Sequence, residues 1–124
     1  MVTTDISQLS IESAEWRQIL RNYREEFQDC KKALQEICRN SLSKDQLQEV
    51  EHYDNQFHIQ LINIHDVKQS IKNHERTIHQ QAENITDKTY ATHEQLLNEF
   101  LSLESTLQEL RSDFKQFVSK ISCQ

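Results

Sequence analysis

The sequence predicts an all-α protein, an elongated antiparallel three-helix bundle with coiled-coil-like packing. The helices are expected at about 8–40, 44–83 and 88–122, forming one domain over 1–124. Three observations predict this class. Gly and Pro are both absent from the 124 residues, although average usage of about 7% and 5% would supply several of each. Apolar residues recur in alternating steps of three and four through three long segments. The breaks in that rhythm hold Ser, Thr, Asn and Asp, residues whose short side chains cap helices. Without Gly there is no loop to wrap a phosphate and no tight glycine turn. Dinucleotide folds, P-loops and tight-turned β-sandwiches are therefore excluded.

The first helix is read from Leu9, Ser13, Trp16, Leu20, Tyr23, Phe27, Cys30, Leu34 and Ile37, beginning near Ser7 or Ser10. Asn40 and Ser41 are expected to close it, because Asn tolerates a left-handed backbone better than most residues. The second helix opens on Ser43-Lys44-Asp45-Gln46, a capping box in which the Ser hydroxyl and the Gln side chain satisfy each other's backbone N–H. Its stripe is Leu47, Val50, Asp54, Phe57, Leu61, Ile64, Lys68, Ile71, Glu75, Ile78 and Ala82. Thr86, Asp87, Thr89 and Thr92 then compete to cap the third helix, whose stripe is His93, Leu96, Phe100, Leu103, Leu107, Leu110, Phe114, Phe117 and Ile121. This three–four alternation is the mark of a coiled-coil seam. A disordered polar chain has no reason to hold it.

Short connections make consecutive helices antiparallel neighbours. Aligning the stripes sets Phe27 on Phe57 and Leu20 on Ile64. The same exercise for helices 2 and 3 sets Ile64 with Leu110 and Phe57 with Phe117. The expected layers are Leu20/Ile64/Leu110, Tyr23/Leu61/Phe114 and Phe27/Phe57/Phe117. In that alignment Lys68 meets Trp16, Asp54 meets Cys30 and Ile121, and Glu75 meets Leu9 and Phe100.

The topology and Trp16 in the first helix resemble a spectrin-type repeat, in architecture only. The stretch Glu49-Val50-Glu51-His52-Tyr53-Asp54-Asn55-Gln56-Phe57, with His74-Glu75 further on, resembles a group of small helical proteins from Bacteroidetes bacteria. That second resemblance implies a bacterial helical protein and no activity.

The formal net charge is −6, from 14 basic and 20 acidic residues. Such a chain repels phosphate backbones and anionic bilayers, so neither nucleic acid nor membrane is an expected partner. Apolar runs never exceed a few residues, far short of a membrane span or a signal-peptide core, and a cytoplasmic location is expected. The three cysteines are Cys30, Cys38 and Cys123. Cys30 and Cys38 are about 12 Å apart along a helix, too far for a disulfide. Buried, reduced thiols acting as small hydrophobes are expected.

No catalytic constellation and no cofactor site is legible. Five of the six histidines lie on helix 2. Glu49/His52 has the ExxH spacing of di-iron bundles, but no second ExxH follows. Glu75, His79 and Glu83 are one turn apart each and form a weak candidate metal site. Arg17, Arg21 and Arg24 make a row beside the helix 1 seam that can grip an acidic partner or a phosphate. Ordinary pairing of Arg21 with Glu25 explains part of that row. In the middle of helix 2, Ile59 and Ile62 point away from the seam, as they would in a helix buried on more than one side. The sequence reading is a non-enzymatic structural or interaction module that pairs as a homodimer, or with another helical protein, through Ile59 and Ile62. A metal-binding bundle using the His and Glu residues of helix 2 is the alternative.

Overall fold

The two turns of the chain are closed by backbone hydrogen bonds at the helix ends and by side-chain caps at the helix starts. The computed structural model describes residues 6–81 and 83–122, which form α1 (Ile6–Ile37), α2 (Lys44–Gln80) and α3 (Asp87–Ser122). No strand occurs among the described residues. Ala82 and Cys123, both assigned roles above, lie outside the described residues.

The capping box at Ser43 forms as expected. The Gln46 N–H donates to Ser43 Oγ at 3.1 Å and the Ser43 N–H donates to Gln46 Oε1 at 2.9 Å. At α3 the competition is won by Thr86, whose hydroxyl accepts from the Thr89 N–H at 3.2 Å. The Gln81 side chain reinforces that turn, accepting from the Thr86 N–H at 3.2 Å and from Thr89 Oγ1 at 2.7 Å. The exit from α1 differs from expectation. No described residue has a positive φ, so Asn40 does not use the left-handed region. The chain instead tightens after Ile37, with Arg39 N–H donating to Glu36 O and Asn40 N–H to Ile37 O. These i+3 bonds satisfy the orphan carbonyls and stop the helix three residues early.

α2 is the central helix. It packs against both α1 and α3, while α1 and α3 touch each other least. At about 1.5 Å per residue its 37 residues span roughly 55 Å. One line of α2, Val50, Phe57, Ile64, Ile71 and Ile78, is buried throughout, and Phe57 on it touches both Phe27 of α1 and Phe114 of α3. On either side of it α2 carries a different flank for each partner. Asp54, Lys68 and Glu75 face α1, where Asp54 meets Lys31 and Glu75 meets Arg17. Tyr53 and His74 face α3, meeting Phe117 and His93.

This split corrects the expected layers. Phe27 does pack edge-on against Phe57, with ring centroids 5.0 Å apart. The third ring of that layer is Phe114, 4.9 Å from Phe57, while Phe117 packs on Tyr53 at 5.0 Å. Relative to the expected alignment, α3 has slid along α2 by about one helical turn. The cause is the flank that meets it. A single seam cannot serve two neighbours, and α3 reads Tyr53 and His74 where the three–four rule offered Asp54 and Glu75.

Two seam positions are corrected with it. Asp54 has a 57% exposed side chain and pairs with Lys31 at 3.8 Å. Leu47 is 46% exposed, because it precedes the point where α2 is covered. Gln60, outside the expected stripe, is buried on the α3 side and accepts from Asn63 Nδ2 at 3.1 Å.

Candidate functional site

The densest polar constellation lies where all three helices meet near the α2–α3 turn. His93, in the second turn of α3, sits between Glu12 of α1 and His74 of α2. Its Nε2 is 2.8 Å from Glu12 Oε1 and its Nδ1 is 2.9 Å from His74 Nε2. Trp16 covers the His93 ring, with centroids 4.6 Å apart. Ser13, three residues before Trp16, is fully buried with its hydroxyl turned back to the Leu9 carbonyl at 2.8 Å. His74 and His93 are both buried.

Hydrogen-bond chemistry fixes the direction of the outer bond in this array. An ionised carboxylate only accepts, so His93 Nε2 carries the hydrogen and donates to Glu12. His93 Nδ1 and His74 Nε2 share one hydrogen across 2.9 Å. His74 Nδ1, on the other side of its ring, is buried and without a partner. Burial pushes the His74 pKa below its ordinary value, with His93 adding to the effect and Glu75 opposing it. The array is a hydrogen-bond chain that joins all three helices and ends at a buried imidazole nitrogen.

Sequence reasoning held both histidines without joining them. His93 is the first seam residue of its helix and His74 flanks the α2 seam. The expected α2–α3 alignment placed His93 opposite residue 81, a full turn or more from His74. Five histidines on α2 drew attention to their own helix, whereas the one that matters is linked across to the sixth.

The predicted metal candidates are not brought together. Glu49 and His52 are exposed, as are His79 and Glu83. The Glu75 carboxylate is held by Arg17, whose Nε and Nη2 donate to its two oxygens at 2.8 and 3.3 Å. Among the described residues, no three His, Cys, Asp or Glu side chains converge as a metal site.

The predicted interaction residues divide. Ile59 and Ile62 remain exposed on the outer face of α2. Arg17 is committed to Glu75, while Arg21 and Arg24 are exposed. Lys68 is buried at the seam as expected, but its surroundings are cationic. Burial is the largest cause that holds its pKa below the usual lysine value, followed by Arg24, Arg21, Lys72 and Arg17. Arg111 lies over the Tyr23 ring, 4.9 Å from its centroid. Arg111 Nε also lies 3.0 Å from Glu26 Oε2, an ion contact without hydrogen-bond alignment.

Of the three thiols expected to be buried, Cys30 is half-buried, Cys38 is exposed and Cys123 lies outside the described residues. Cys30 lines a groove of about 480 Å3 between α1 and α3 with Ala33, Phe114 and Val118. Burial, then Glu26 and Asp29, raises its pKa to about 11. It is therefore a protonated, weakly nucleophilic thiol at neutral pH.

No family model, curated protein or solved structure matches the chain. No helix among the described residues is long and apolar enough to cross a membrane.

Proposed function

We propose that this chain is a non-enzymatic interaction module, working in the cytoplasm through its helix surfaces and self-associating through the outer face of α2. The observation that carries this reading is the pair Ile59 and Ile62, 39% and 48% exposed. They lie one turn apart on the helix that already packs against both of its neighbours. Apolar side chains beyond those packed faces gain by being covered. A two-fold contact lets one patch serve both copies. The Glu12–His93–His74 array adds no support for catalysis, because its terminal nitrogen, His74 Nδ1, is buried and has no partner. The His and Glu residues of α2 gain no support as a metal site, since Glu75 is held by Arg17.

Sedimentation tests the reading. The native chain is expected to run as a dimer, and the double variant Ile59→Glu/Ile62→Glu as a monomer with the same circular dichroism. A native chain that stays monomeric at high concentration overturns it.

A further inference from the structure

Beside the seam of a coiled-coil-like pair, opposite charges normally face each other across the helices. The α1/α2 flank obeys that rule at both ends of one stretch. Arg17 grips Glu75 through both oxygens, and further along Lys31 meets Asp54 at 3.8 Å. Between these two pairs the rule is broken. Lys68, two turns before Glu75 on α2, instead has Arg24, Arg21, Lys72 and Arg17 as the charged groups that act on it. Arg21 and Lys72 lie in the same interval. Cation faces cation over two helical turns, in a chain whose net charge is −6.

Lys68 is only 8% exposed, so its stem lies in the seam. Arg24, Arg21, Lys72 and Arg17 all act on it to disfavour its charge. Arg21, Arg24 and Lys72 are exposed, and among the described residues none of them, nor Lys68, has a carboxylate in ion-pair contact. Glu25, one turn after Arg21, is exposed and does not close on it.

We infer that the middle of the α1/α2 flank is an anion site, and that Arg21, Arg24, Lys68 and Lys72 hold a phosphate group there. A guanidinium presents paired N–H donors that match two oxygens of a phosphate, and an ammonium adds a point charge. Two of each suit a tetrahedral anion with at least two charges better than a single carboxylate, which leaves most of the repulsion in place. Bound phosphate restores the opposite-charge pattern that the two flanking ion pairs already follow. Neither Ile59 nor Ile62 belongs to this surface, so the site stands apart from self-association and goes beyond it.

Calorimetric titration with inorganic pyrophosphate, at constant ionic strength set by sodium chloride, tests the site. Saturable binding near one equivalent is expected for the native chain. The double variant Arg21→Gln/Arg24→Gln, confined to exposed positions, is expected to fold with the same helicity and bind about tenfold or more weakly. Lys68→Met keeps the apolar stem and loses the charge, and is expected to weaken binding as well. Arg24→Gln in phosphate-free, low-salt buffer is expected to melt higher than the native chain, since it removes repulsion against Lys68.

Flotation with phosphatidylcholine vesicles, with and without a phosphoinositide, separates the sources of the phosphate. Vesicle binding displaced by pyrophosphate assigns a lipid headgroup, and pyrophosphate binding without vesicle binding assigns a free phosphate compound. Three results overturn the proposal: no saturable pyrophosphate binding, equal binding by the Arg21→Gln/Arg24→Gln variant, or binding of poly-glutamate but not pyrophosphate.

Discussion

A carboxylate can only accept a hydrogen bond, so the His93 ring donates to Glu12 and its other nitrogen shares a hydrogen with His74. His74 is neutral in the folded chain and is held below its ordinary pKa of 6.5, chiefly by burial. The unfolded chain therefore binds a proton that the folded chain refuses. The stability from this residue is complete above about pH 6.5 and is lost as the pH falls through it. Glu12, His93 and the Arg17-bound Glu75 are the titratable and charged groups around it. Melting curves between about pH 5 and 8 are expected to show the native chain weakening on the acid side. His74→Gln is expected to flatten that slope, and an unchanged slope in the variant places the titration elsewhere. Phe57 gives a second test at the same scale. It is fully buried between Phe27 and Phe114, so Phe57→Ala is expected to destabilise the chain by about 3–5 kcal/mol in denaturant unfolding. A loss below about 1 kcal/mol contradicts an interior ring stack.

At the scale of the elements, helix starts were legible and one helix end was not. Ser43 and Gln46 carry their own reciprocal hydrogen bonds, so the capping box needs nothing from the rest of the molecule. Replacing Ser43 by Ala removes the acceptor for the Gln46 N–H and is expected to lower stability by about 0.5–2 kcal/mol. Ser41→Ala, outside the box, is the control for that unfolding measurement. The α3 start had four candidate caps in sequence, and Gln81 decided among them by reaching across the turn to Thr86 and Thr89. The end of α1 escaped the reading because closing a helix without glycine leaves a choice between a left-handed residue and an i+3 turn. The chain takes the turn.

At the scale of the whole molecule, a central helix has to satisfy two neighbours at once, and that requirement governs the candidate sites. The α1 side of α2 gathers charge, with Glu75 and Asp54 paired and Lys68 left among arginines. The α3 side gathers Tyr53 and His74. The sequence by itself determined the all-helical class, the three segments, the buried apolar line from Val50 to Ile78 and the exposed Ile59 and Ile62. Each of these follows from the spacing of side chains around one helix, and that spacing is a property of the chain alone. Only the tertiary structure decided how far α3 slides along α2, and with it the Phe27/Phe57/Phe114 layer and the Glu12–His93–His74 chain. Sliding one helix past another by a turn keeps every apolar stripe facing inward. The hydrophobic pattern is therefore nearly indifferent to that choice, and it is made by ring packing and polar contacts between residues far apart in sequence.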